Sequence, residues 1–262
     1  MRRKMRRQWQ RKVGLVLCLS LSLSFGGTAQ GANPSDYETD EYTASTGLAL
    51  IRASDAYALG YTGKGITLGI ADNFVQLPHR EFKFKSDSKT ITSVPSSYNW
   101  ITDNHGTHVG GIMVAAKNNY GMHGVAFDAN LLSGDVMSAP QNTNLGIAYD
   151  AFNKNSNIKI INNSWGADTY IDVSGKAAFS DKEFQTTLDI LEKSIKDYDK
   201  VLVFAAGNSG HPTPGGESTL SYLRPQTASN FINVMSVNPA DYNMASKTAG
   251  TAFVSEFSDL AK

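Results

Sequence analysis

Four short strings in this chain of 262 residues bring together side chains that can do chemistry: Asp72-Asn73, Asn104-His105-Gly106-Thr107-His108, Asn163-Ser164-Trp165-Gly166 and Ala205-Ala206-Gly207-Asn208. A carboxylate can orient an imidazole, an imidazole can take a proton near neutral pH, and an amide can donate to a developing negative charge without titrating. Considered singly, each string has a plain structural reading, because Asp and Asn favour turns and helix caps and a histidine can simply begin a helix. His108 follows His105 by three residues on one helix face. With no His-Glu-x-x-His and no carboxylate at ligand spacing, it reads as structural, and no metal is expected.

What positions these strings is a series of short apolar runs. Ile66 to Ala71, Ile158 to Ile161, Val201 to Ala206 and Phe231 to Val237 read as strands buried on both faces, with a further strand near Asn130 to Val136. Between them helical spacing covers Gly106 to Lys117, then Leu145, Ala148, Tyr149 and Phe152, then Phe184, Leu188, Leu191 and Ile195. Ser180 with Glu183 predicts a capping box for the last of these. Upstream, Leu48, Ile51, Ala56 and Leu59 predict one helix ended by Gly60, and Phe74 to Asn99 a long irregular connection. Strands alternating with helices predict a three-layer α/β fold, a mostly parallel sheet flanked by helices. In such sheets functional groups collect beyond the carboxyl ends of strands, where Asp72, Asn162 to Gly166, and Gly207 with Asn208 all stand.

Charge and hydropathy divide the chain further. The formal charge is zero, but Met1 to Ala32 holds seven of the 24 Lys and Arg and no acid, which leaves 17 basic against 24 acidic residues in the remainder. A body with a net charge of −7 has no long-range attraction to nucleic acid or an anionic membrane. The basic start runs into 13 largely apolar residues, Val13 to Phe25, and then into Gly26, Gly27, Thr28 and Ala29, so residues 1–32 read as a secretory signal peptide cleaved after Ala29 or Ala32. A membrane span needs about 20 apolar residues, more than are present. The body is therefore expected outside the cytoplasm, secreted or at the cell surface, with no membrane span in its mature form. The one cysteine, Cys18, lies in the apolar stretch, so the exported body has neither thiol nor disulfide. Residues 33–46, acidic and polar, read as a flexible lead-in, with order starting near Gly47.

Together, and in this order, the four strings resemble the subtilisin-like serine proteases, and within them the autotransporter branch, in which a signal peptide leads almost directly into the protease domain. Ala53 to Gly65, Pro78-His79-Arg80-Glu81-Phe82 and Gly121-Met122-His123-Gly124-Val125-Ala126 extend the resemblance, which covers about Gly47 to the end. It implies hydrolysis of a polypeptide substrate by an Asp-His-Ser triad, with Asp72 the orienting carboxylate and His105 the base, and no cofactor. Asn208 would donate to the oxyanion. Ser164, Trp165 and Gly166 would form the edge along which a substrate lies, and Ala205, Ala206 and Gly207 would line the pocket for the side chain before the scissile bond.

The family's Gly-Thr-Ser-Met-Ala, which carries the nucleophile, is absent. The nearest string, Gly250-Thr251-Ala252, is followed by Phe253, Ser255 and Phe257 in strand-like alternation, and Phe257-Ser258-Asp259 resembles the Phe-Ser-Asn segment that precedes the nucleophile. On that reading residues 47–262 are a partial peptidase domain, incomplete at its C-terminus, inactive as written, and missing a segment whose absence bares one face of the sheet. A catalytically dead peptide-binding module and one part of a split protease are the alternatives. A dinucleotide site at Gly63, Gly65 and Gly69 fails on position, since these glycines precede or lie within their strand rather than following it.

Overall fold

Near-continuous apolar runs joined by helices suit parallel pairing, and every strand of the computed structural model pairs in parallel. The structure describes residues 32–83, 85–167 and 181–236; the signal segment 1–31, Ser180, Val237 and the strings from Gly250 to Asp259 lie outside these. The strands are β1 Thr67–Asp72, β2 Lys89–Thr90, β3 Asn130–Asp135, β4 Ile158–Asn163, β5 Val201–Ala205 and β6 Phe231–Val234, in the order β2-β3-β1-β4-β5-β6. The helices are α1 Asp40–Thr43, α2 Thr46–Leu50, α3 Ala53–Ala58, α4 His105–Val114, α5 Gln141–Lys154, α6 Lys182–Tyr198 and α7 Leu220–Leu223. This is the expected α/β architecture, with the two-residue edge strand β2 lying inside the connection read as irregular.

The two faces of the sheet are covered unequally. On one face Tyr149 and Phe152 of α5 and Leu188 and Leu191 of α6 pack onto Ile158, Ile161, Leu202 and Phe204. On the other, Val109 and Val114 of α4 pack onto Ile70 and Leu131, so α4 shields β1 and β3. Ile70 stands level with Asn162, Asn162 with Val203 and Val203 with Ile232, and in-register neighbours point to the same face. On the α4 face of β4 to β6, Ile160 is 42% exposed, Ile232 49% and Val234 51%, so among the described residues that half-face is bare.

Order starts earlier than the acidic composition of residues 33–46 suggests. Pro34–Tyr37 forms a 3-10 turn, α1 follows, and Tyr42 is buried with Leu48, Ala53, Tyr57 and Phe127 in a third cluster. Burial of a large side chain is worth about 1.5 to 3 kcal/mol, enough for one tyrosine to hold a short polar segment in place. Tyr42 also donates to the Leu48 carbonyl at 3.0 Å, and Glu41 accepts from the Asn118 backbone N–H at 2.9 Å. The single helix read from Leu48 to Leu59 is in fact two, α2 and α3, broken at Arg52 with φ +56°. The cap of α6 is Asp181, which accepts from the Glu183 N–H at 3.1 Å, in place of the predicted Ser180. α4 stops at Val114, three residues short of the predicted end.

Candidate active site

Asp72 is the last residue of β1 and is 1% exposed. Its Oδ1 accepts from the Asn73 N–H at 2.8 Å and stands 2.8 Å from Nδ1 of His105, the first residue of α4. Burial pushes the Asp72 carboxyl above the usual carboxylate range, and the hydrogen bond and charge of His105 pull it back. Oδ2 of Asp72 is buried without a partner, so the carboxylate has one strongly occupied oxygen, the one that faces the imidazole. The His105 side chain is 57% exposed, which leaves the ring nitrogen that Asp72 does not hold able to meet a ligand.

The approach of α4 to β1 depends on residues between and beside this pair. The Gly106 N–H donates to Oδ1 of Asn73, and a Cβ on Gly106 would run into the Asn73 backbone carbonyl. Only glycine lets the helix start this close to the strand. One step further, the Gln76 N–H donates to Oγ1 of Thr107 at 2.9 Å. Asn73 and Thr107 thus fix the angle at which His105 meets Asp72. In the sequence they signalled only a turn and a helix. His108 is exposed, and no group of three or more His, Cys, Asp or Glu able to hold a metal occurs among the described residues.

The other two strings leave the same carboxyl edge from the adjacent strands β4 and β5. Asn163 is fully buried; Tyr149 of α5 donates to its Oδ1 at 2.8 Å, and its Nδ2 donates to the Ile161 carbonyl at 3.2 Å. That anchor sets the direction of the next residues: Ser164 accepts from Asn162 Nδ2 at 2.9 Å, and Trp165 lies edge-on to Phe204 with centroids 5.4 Å apart. Gly166 follows, exposed. After β5, Ala206 is buried with its N–H given to the Val234 carbonyl at 2.9 Å, Gly207 turns the chain at φ +120°, and Asn208 is exposed beyond it. Asp72 and His105 are in contact; the Ser164–Gly166 and Ala205–Asn208 segments run out side by side from neighbouring strands at the sheet edge where Asp72 lies.

Comparison with known proteins bears on the family and the fold. The profile of the subtilase family matches residues 63–258. An extracellular serine protease of Serratia marcescens is 30% identical over an alignment of 261 positions that takes in 82% of this chain and 24% of that protein. Subtilisin DY of Bacillus licheniformis is 27% identical over 206 positions, 77% of this chain and 66% of that one. The chain spans about a quarter of the Serratia proteins it matches, 24% of one and 26% of the other. Among solved structures, the prenylagaramide maturation protease PagA superposes on 80% of this chain and 63% of its own with a TM-score of 0.54 at 17% identity. The patellamide maturation protease PatA does so on 76% and 62% with a TM-score of 0.53 at 20% identity, and both agree in fold.

Proposed function

Given that the chain belongs to the subtilase family, we propose that it is the larger part of a secreted serine endopeptidase domain that cleaves polypeptides. The observation that carries the reading is the 2.8 Å contact between Asp72, buried at a strand end, and a helix-initial His105 whose ring is half exposed. A carboxylate accepting from Nδ1–H leaves Nε2 as the basic nitrogen, able to take a serine proton and return it to the leaving amine. Asn208 donates to the oxyanion as the tetrahedral intermediate forms. A substrate adds as a strand along Ser164, Trp165 and Gly166, with the side chain before the scissile bond entering beside Ala205, Ala206 and Gly207.

The serine itself comes from a segment outside the described residues, docked on the bare α4 face of β4 to β6. Exposed Ile160, Ile232 and Val234 support this, because a parallel sheet is ordinarily covered on both faces. The 262-residue chain alone is expected to leave casein intact and to take no fluorophosphonate label. The same chain extended by a nucleophile-bearing segment should be labelled, and His105→Ala should abolish turnover in that form. Casein hydrolysis by the chain alone, lost in His105→Ala, would mean that a different group is the nucleophile. The absence of Gly-Thr-Ser favours one other reading, a peptide-binding module without catalysis. Peptide binding without labelling of the extended form would select it.

Secretion rests on the charged and apolar start of the sequence and on relatives named as extracellular proteases. Amino-terminal sequencing of exported material should read from near Gln30 or Asn33, and recovery of an intact Met1 start outside the cell would refute it.

A further inference from the structure

The half-face of β4 to β6 that α4 leaves bare is apolar at all but one position. Ile160 stands level with Val201, Val203 with Ile232 and Ala205 with Val234, and in-register neighbours share a face. The exception is Asn162, level with Val203 on one side and with Ile70 of β1 on the other. Ile70 packs under α4, whereas Ile161 and Asn163, the neighbours of Asn162 along the strand, face α5 and α6, so Asn162 points to the α4 side. Asp72 lies two residues beyond Ile70 on β1 and therefore on the same face, one strand away from Asn162 and roughly 7 Å further along. Asn162 stands where the bare apolar area meets the Asp72–His105 pair.

An amide carries two N–H donors and an oxygen that accepts. One N–H of Asn162 donates to Oγ of Ser164 at 2.9 Å, and among the described residues its Oδ1 accepts from nothing. The bond to Ser164 uses the nitrogen and leaves the oxygen unexplained. A segment laid over the apolar neighbours takes that oxygen out of water, and burying an acceptor without a partner carries the full cost of its desolvation. How helices lie on this sheet indicates the donor. α4, on the same face, begins at the carboxyl edge, and the Gly106 N–H in its first turn is taken by the side-chain oxygen of Asn73. The first four N–H groups of any α-helix lack a partner within the helix. β6 ends at that edge too, so a covering helix that returns across the bare half-face begins there, as α4 does. We propose that Asn162 is a positioning residue for the nucleophile: its Oδ1 accepts a backbone N–H from the first turn of the nucleophile-bearing segment and sets the depth at which the serine meets Nε2 of His105. The proposal rests on the peptidase reading above and deepens it.

The chain extended by that segment tests it, with a small fluorophosphonate probe that reaches the serine without lying along the Ser164–Gly166 edge. A buried N–H that loses its partner is worth roughly 5-fold to 150-fold. Asn162→Leu, similar in size and unable to accept, should be labelled at least about tenfold more slowly than the parent, with kcat on a peptide substrate lower by the same factor and KM little changed. Asn162→Asp keeps an oxygen at the same reach, and a negative charge suits a helix N-terminus, so it should be labelled within about threefold of the parent rate. Labelling of Asn162→Leu at the parent rate overturns the proposal and leaves the peptidase reading standing. Labelling of Asn162→Asp as slow as that of Asn162→Leu also overturns it. A raised KM at unchanged kcat in Asn162→Leu would assign Asn162 to the substrate edge through Ser164, and the proposal falls. If the unmodified extended form takes no label, the peptidase reading falls and the proposal with it. Should Asn162→Leu fail to fold, Asn162→Ala takes its place with the same expected loss.

Discussion

At Asp72, loss of water and pairing with His105 act in opposite directions on one carboxyl, and the balance leaves it above its ordinary range. Replacing it with Asn keeps size and burial but lets the imidazole adopt the other tautomer. In the extended, unlabelled form Asp72→Asn should lower kcat by roughly 10⁴-fold with little change in KM, read from initial rates on a peptide substrate. Glu217, in the turn after β5 where its Oε2 accepts from the Ala167 N–H at 2.9 Å, is raised by burial too, so it binds its proton more tightly in the folded chain than in the unfolded one. Its contribution to stability is then largest below the ordinary carboxylate range and falls as pH climbs toward the raised value. Calorimetric melts should show Glu217→Gln gaining on the parent as pH rises above the ordinary carboxylate range, by about 2 to 4 °C for each kcal/mol; a difference that does not change with pH would contradict this. Asp72 and His105 could be singled out in the sequence because their strings stand in the order that resembles the subtilisin-like proteases, whereas each string alone reads as a turn or a helix start. Asn73, Thr107 and Glu217 could not, because what matters in each is a contact 30 to 50 residues away along the chain.

Among the elements, the contact between α5 and the end of β4 governs the substrate edge. Tyr149 and Asn163 are both buried, and their hydrogen bond adds to the strand pairing that fixes where Ser164 leaves the sheet. Tyr149→Phe strands the Asn163 oxygen in an apolar layer, which should cost about 1 to 3 kcal/mol, measured by chemical denaturation, and loosen peptide binding along the edge. The same arrangement shows why the strands were easy to read and their surroundings were not. Val201–Ala205 is apolar at every position, as a doubly covered strand should be, yet only Leu202 and Phe204 are fully buried. Its sequence is suited to a cover that the described residues do not supply. The break at Arg52 escaped notice because neither glycine nor proline marks it, and the early start of order at Asn33 because one tyrosine outweighs four acids.

At the level of the whole molecule, a sheet with one complete face and one half-bare face separates stability from activity. The α5 and α6 side holds most of the core, while Ile232 and Val234 face outward. Ile232→Lys should change the melting of the 262-residue chain by no more than about 0.5 kcal/mol, as for other exposed sites, yet prevent the nucleophile-bearing segment from restoring fluorophosphonate labelling. A large loss of stability in the chain alone would place Ile232 in the core and remove the docking argument. The strand order also bears on how this sheet comes into being. Thr67 of β1, the first strand to be synthesised, pairs with Asn130 on one side and with Ile158 on the other, so the central strand waits for partners made much later. Folding dominated by such distant pairings is slow, on the order of milliseconds to seconds. Under the export proposed above, in which the chain crosses a membrane unfolded, that delay would be an advantage: the middle strand cannot close its edges until much of the chain has been delivered.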